Sequence, residues 1–327
     1  MKRNNKHTPS VAVITRTKDR AILLDRAIKS VHNQSMRDFI HVIINDAGDQ
    51  EVVDALVRKH SKIIDGRVKV IHNTTSNGME AASNKAIKSV DSLFVAIHDD
   101  DDTWHPDFLE KTTELLSNTG GKGVVVTTDR VIEKIEGGKV LHISTDRWLP
   151  ELRNISLYKQ CRDNYATPIT FLYRREVLDK IGYYDEGLPV AGDWDFALRF
   201  LMEYDIEFLK TPHALAFYHH RPSTTGVDAN SVFQDSGAKH KFYMNLLANK
   251  YLRKELKTGR LGVGYLMSAL TDQRTQNELV TTKLTEEVAR TGQELEDRVS
   301  IAHDSLVDIV VKRTSLKSRI KSIIKHS

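Results

Sequence analysis

From Val11 onward, short apolar runs alternate with stretches of helical periodicity. VAVIT (Val11–Thr15) predicts a first strand, and the apolar spacing from Ile22 to His32 predicts a helix. HVIIND (His41–Asp46) predicts a second strand ending in polar turn residues, with a helix near Glu51–Lys59. RVKVIH (Arg67–His72) predicts a third strand, and Asn77–Ser89 a helix entered through a glycine. SLFVAIH (Ser92–His98) is continuously apolar, as expected of a central strand buried on both faces. Strand and helix alternating in this order predict an α/β domain with a mostly parallel sheet.

Mixed strands and helices continue from Gly123 to Tyr218, most clearly in VVVTTD (Val124–Asp129) and FLYRREVL (Phe171–Leu178). Beyond about Asn230 the pattern turns almost wholly helical, which predicts one domain over 9–228 and a helical region over 229–327. In the last helix Leu295, Val299, Ala302, Leu306, Ile309, Leu316, Ile320 and Ile323 follow steps of four and three, with Arg313 out of character. Such a seam fits a coiled coil or a long antiparallel helix pair, and hence self-association. A single amphipathic helix packed on its own domain fits equally well. Basic residues around the same stripe add a third reading, peripheral contact with an anionic membrane surface.

The most unusual polar feature is Asp99-Asp100-Asp101-Asp102, directly after the buried apolar run. Four successive carboxylates repel one another and need either a cation or a fully wet loop. A solvated turn ahead of a helix near His105-Pro106 would satisfy the second condition, with Asp102 helping to cap that helix. The position favours the first, because open α/β sheets bind ligands beyond the carboxyl ends of their strands. Asp46, ending the second predicted strand, falls on the same edge.

Composition narrows the class. With 327 residues, 40% hydrophobic and 28% charged, the chain is that of a globular protein with a sizeable core. No stretch reaches the roughly 18 to 20 apolar residues of a membrane span, and MKRNNKHTPS is not followed by a signal-peptide run, so the expected location is cytoplasmic. A single cysteine, Cys161, excludes an internal disulfide framework and a multi-cysteine zinc site. The net charge of +4 gathers at Lys312, Arg313, Lys317, Arg319, Lys321 and Lys325, leaving the body nearly balanced, so no nucleic-acid partner is expected.

Seven ordered segments carry a family resemblance. They are VITRTKDR with LLDRAIKSVHNQ, VIINDAGD, NGMEAASNKAIKS, VAIHDDDDTWHPDFL, FLYRREVLDKIGYYDEGLP, GDWDFALRFL and FYHHRPSTTG. Together, over about the first 225 residues, they resemble family 2 glycosyltransferases of the GT-A fold. The match departs at Ser83, where the family often has Arg, and at Gly192, where its Glu-Asp motif has Glu.

The resemblance implies a nucleotide-sugar donor, a saccharide or lipid-linked acceptor, a role in surface polysaccharide assembly, and Mn²⁺ or Mg²⁺ as cofactor. Hard oxygen ligands suit those ions, which stabilise charge on a departing diphosphate. By resemblance Asp101 is the first metal ligand, with Asp99 sharing the metal or nearer the ribose, and His220 a metal or diphosphate ligand. Asp46 would meet the base imide, with Thr15, Arg16, Asn77, Asn84 and Asp100 around the nucleotide sugar. Asp193 would be the base for the acceptor hydroxyl, implying inversion, although its place also fits a helix cap. Trp194 would line the acceptor site.

Two other readings stand beside this one. Asp99-x-Asp101-x-Thr103 has the form of the haloacid-dehalogenase-like phosphatase motif, but that motif belongs on a first strand and usually has Gly before the Thr. A catalytically inert sugar-nucleotide-binding scaffold is the second, prompted by Gly192.

Overall fold

A computed structural model describes residues 8–230, 233, 237–260 and 262–324. The chain divides into two compact units, 1–268 and 269–327.

The first unit opens with β1 (Val11–Thr17), α1 (Ala21–His32) and β2 (Phe39–Asp46). It continues through α2 (Gln50–Lys59), α3 (Ser61–Ile64), β3 (Val68–Asn73), α4 (Met79–Lys88) and β4 (Phe94–Ile97). The predicted alternation is therefore observed, with ends displaced by one or two residues. In α1, Leu23, Leu24, Ala27, Ile28 and Val31 are buried, the single apolar face its spacing demands. β4 is buried at every position, as a strand covered on both faces must be.

Next come β5 (Thr103–Trp104), α5 (Phe108–Thr119), β6 (Gly123–Val126), β7 (Thr128–Glu136) and β8 (Lys139–Arg147). The run VVVTTD is thus two strands, not one. Thr127 breaks it: its NH donates to the carbonyl of Leu209, and its hydroxyl accepts from the NH of Thr211. After these lie α6 (Leu157–Arg162), β9 (Phe171–Arg174), α7 (Val177–Ile181), α8 (Gly192–Leu201), β10 (Ile206–Leu209) and β11 (Ala216–His220).

Among the described residues the strands form a seven-stranded sheet, ordered β10-β6-β9-β4-β1-β2-β3, and a four-stranded sheet, ordered β5-β11-β7-β8. β1 runs parallel to β2 and β4, while β9 lies antiparallel between β4 and β6. In the small sheet β11 runs parallel to β7 and antiparallel to β5. The carboxyl ends of β1, β2 and β4 consequently share one edge, and the small sheet brings β11 beside the acidic run.

The first unit extends past the limit expected at 228. Helix α9 (Ala238–Thr258) belongs to it, burying Leu247 and Tyr251 and sending the Tyr251 hydroxyl to Asp195 Oδ1 at 3.1 Å. Helix α10 (Val263–Ile324) makes up most of the second unit. There Leu295, Val299, Leu306 and Ile309 are all more than half exposed, so this described part of the predicted stripe is uncovered. The side chains of Leu316, Ile320 and Ile323 lie outside the described residues. Among the described residues no helix is long and apolar enough to cross a membrane.

Candidate active site

A pocket of about 370 Å³ opens where β1, β2 and β4 end. Its walls are Arg16 to Arg20 from the end of β1 and the turn after it, Asp46 from β2, Ser76, Gly78 and Met79 at the start of α4, the four carboxylates after β4, and Tyr218 from β11. That volume falls in the range of small-molecule sites.

The acidic run meets a set of arginines. Arg16 donates to Asp99 Oδ1 from Nε at 2.9 Å, Arg20 to Asp100 Oδ1 at 3.0 Å, and Arg20 again to Asp101 Oδ2 at 3.4 Å. Arg221, entirely buried, also donates to Asp101 Oδ2, and Asn230 does so at 3.2 Å. On its other side Arg221 binds Glu133 Oε1 at 2.8 Å. Glu133 accepts in addition from Arg26 at 2.7 Å and is paired with His219 Nδ1 at 2.8 Å. A buried acid and base network of this kind is stable only when every member is paired.

Asp100, Asp101 and Asp102 titrate differently. Burial raises Asp100 to about 6, opposed by Arg20. Burial would raise Asp101 as well, but Arg221 and Arg20 outweigh it and hold it below the usual range. Asp102 is pushed far up by burial and by the charge of Asp101; its Oδ1 accepts the backbone NH of His219 at 2.8 Å. Asp102 therefore ties the run to β11 and does not cap α5, whose N-cap residue is Asp107.

Some carboxylate oxygens remain for a ligand. Both bonds from Arg16 fall on Asp99 Oδ1, those on Asp101 fall on Oδ2, and the buried Asp100 Oδ2 has no hydrogen-bond partner. Hard oxygens facing a pocket, one of them orphaned, fit Mg²⁺ or Mn²⁺. A separate cluster, His105, Asp107 and His213, has ligand atoms within 4.8 Å of one another, but none of the three lines the pocket.

Asp193 is the second residue of α8, after Gly192 and the N-cap residue Ala191, whose backbone is left-handed at φ 63°, an uncommon state for a residue with a Cβ. Its Oδ1 accepts the Trp194 NH at 2.9 Å and Oδ2 accepts from Asn164 at 2.8 Å. Burial raises its pKa, against the Trp194 NH and Arg16.

Residues 10–182 match glycosyl transferase family 2, more than half of the chain. The chain belongs to glycosyl transferase family 2. This glycosyltransferase is 26% identical over 261 residues to the uncharacterised glycosyltransferase YwdF of Bacillus subtilis, covering 77% of this chain and 88% of that one. Among solved structures it resembles S. aureus TarS 1-349 in complex with UDP-GlcNAc, with a TM-score of 0.57 at 18% identity over 74% of this chain and 66% of that one. It also resembles the mannosyltransferase PcManGT of Pyrobaculum calidifontis in complex with GDP-Man and Mn²⁺, with a TM-score of 0.51 at 16% identity over 81% and 70%. At these identities the likeness is one of fold, and the fold is GT-A. The phosphatase reading of Asp99 is not favoured, since the acidic run follows β4 and not a first strand.

Several sequence-derived placements in this glycosyltransferase need correction. Thr15 is fully buried and paired with His41 at 2.9 Å; Thr17, two residues on, is the threonine that reaches the pocket. Asn84 is buried and binds the backbone of Tyr184 and the side chain of Glu186, joining α4 to the loop before α8. Trp194 is 3% exposed, with its indole NH on the carbonyl of Gln160, so it offers no face to an acceptor. His220 does not line the pocket; its ring packs against Tyr218 at 4.3 Å, Trp148 and Phe233. Burial, with Arg130 and Arg221, pushes it down to about 4, leaving it neutral.

Asn77 contributes its backbone NH to Asp46 and its side chain to a neighbouring groove. Asp46 accepts four donors from the end of β3 and the loop before α4, Asn73, Ser76, Asn77 and Gly78, so an incoming imide NH would have to share the carboxylate oxygens with them. Arg16, Asp99, Asp100 and Asp101 all stand in the pocket. Sequence reasoning missed Arg20, Glu80, Glu133, Arg221 and Asn230. Arg20, four residues after Arg16 in the opening motif, carried the clearest overlooked signal.

Proposed function

We propose that this glycosyltransferase moves a sugar, with inversion, from a nucleoside-diphosphate donor, UDP or dTDP before others, to a hydroxyl of a saccharide or lipid-linked acceptor. The observation that carries this reading is the convergence of Arg16, Arg20 and the acidic run in one pocket at the strand ends. The nucleotide lies along Asp46 and the loop before α4, and its diphosphate lies toward Asp99 and Asp101, which would hold a divalent cation. Bound there, the cation offsets the negative charge of the leaving diphosphate. Arg16 and Arg20 add positive charge on the same side and keep the carboxylates apart.

On the opposite face Asp193 accepts the proton of the acceptor hydroxyl as that oxygen bonds to the anomeric carbon. The bond from that carbon to the diphosphate oxygen breaks, and its electron pair leaves with the nucleoside diphosphate. Asn164 and the Trp194 NH fix the carboxylate for this task, and its raised pKa makes it a better base than an exposed Asp. Release of nucleoside diphosphate should require added Mn²⁺ or Mg²⁺ together with an acceptor. Product NMR should show inversion; retention of configuration would sink the single-displacement mechanism.

A further inference from the structure

Glu80 is a carboxyl that the mechanism does not use. It lies in the first turn of α4, is 3% exposed, and its Oε2 has no hydrogen-bond partner. A buried carboxyl left in that state costs free energy and calls for a reason.

The surroundings supply one. A Cβ built on Gly192 would meet Glu80 Cδ and Oε1 at 2.4 Å, closer than two such atoms can approach. The Glu80 carboxyl therefore occupies the room that any side chain at position 192 would need. This is also where the sequence departs from its motif by lacking a glutamate. Glu80 Oε2 lies 3.6 Å from Arg16 Nη1, and the same nitrogen donates to Ser83 Oγ at 3.3 Å, the other departure from the motif. Arg16 then reaches Asp99 through Nε and Nη2.

We propose that Glu80 is a positioning residue of the donor site, its carboxyl replacing an acidic side chain at position 192 and, with Ser83, aiming the Arg16 guanidinium at Asp99 and the donor diphosphate. The proposal rests on the donor-site reading above. Glycine at 192 is then a requirement of Glu80, and the two positions must vary together.

Coupled substitutions test this. Gly192→Ala should lower the unfolding temperature when Glu80 is present and do so much less in a Glu80→Ala background, since deleting the carboxyl opens the space. Glu80→Ala should weaken binding of UDP, dTDP or GDP with Mn²⁺, whichever binds tightest, by about tenfold, the loss of one charge-assisted contact. Glu80→Gln, which keeps the shape and an acceptor oxygen, should stay within about twofold. Glu80→Ala combined with Gly192→Glu should recover most of the lost affinity. If Glu80→Ala does not fold, Glu80→Met carries the same affinity test.

An equal cost of Gly192→Ala in both backgrounds would overturn the shared-space claim. Loss of stability with unchanged nucleotide affinity in Glu80→Ala, or no recovery in the double variant, would overturn the positioning role. If the unmodified protein binds none of the three diphosphates, the donor-site reading fails and the positioning role with it, while the stability cycle still decides the space.

Discussion

The guanidinium of Arg221 lies against Asp101 with none of its own side chain exposed and only 12% of the aspartate's. Through its other nitrogen it holds Glu133, so one cation serves two buried carboxylates. Arg221→Met should cost about 3 kcal/mol, the low end for breaking a buried pair, because Asp101 keeps Arg20 and Asn230 and Glu133 keeps Arg26 and His219. Arg221→Lys, a point charge on a flexible stem, should recover only part of that. Chemical denaturation of the three proteins checks both outcomes.

Asp193→Asn should lower turnover by roughly 10²- to 10⁴-fold, the range for losing a general base, while nucleotide affinity stays within about twofold. Because the folded protein raises the pKa of Asp193, the acid limb of kcat/KM should lie above the pH at which an ordinary aspartate ionises. A limb at the ordinary value would assign the base elsewhere.

Stability should respond to Glu80 in a definite direction. Burial first, with Asp193 and Asp99 adding and Arg16 opposing, raises its pKa from 4.5 to about 8. Between those values the folded chain keeps a proton that the unfolded chain has released, so stability falls as pH rises. Glu80→Gln removes this contribution. The melting temperature of the variant, relative to the unmodified protein, should climb by several degrees from pH 5 to pH 8.5. A flat difference would mean Glu80 is ionised throughout.

Chelation should separate activity from folding. Arg20 and Arg221 already neutralise Asp100 and Asp101, so EDTA should abolish transfer while moving the melting temperature by no more than about 2 °C. Mn²⁺ with a nucleoside diphosphate should raise it more than either alone.

Trp194→Phe should leave the acceptor KM within about twofold and cost about 1 kcal/mol for the lost bond to Gln160. A large rise in KM would return Trp194 to the acceptor site.

The first four strands were legible because each is a clean apolar run at a spacing that fits no helix. The small sheet was not: every position of β8 but Val140 is exposed, so no apolar pattern marks it. In the site, the acidic run announced itself as carboxylates at a strand end, whereas Asp193 came only through the family resemblance. Thr15 was misplaced along its strand and Asn84 in phase: Thr17, on the same face of β1 but at its end, is the one that reaches the pocket, and a fraction of a turn in α4 decides between pocket and core. Arg221, which binds Asp101, meets Glu133 because β11 pairs with β7, a long-range contact with no local pattern.

The place of β9 sets an order on synthesis. β6 joins the large sheet through β9 and β10, and β9 is made well after both its neighbours, β4 and β6. A nascent chain that has reached Val126 thus presents β4 with an open edge and β6 with no sheet partner yet made. Until Arg174 has left the ribosome, those apolar strands are open to foreign pairing. Truncations ending between β6 and β9 leave this half-built sheet as the final state and should be the aggregating ones.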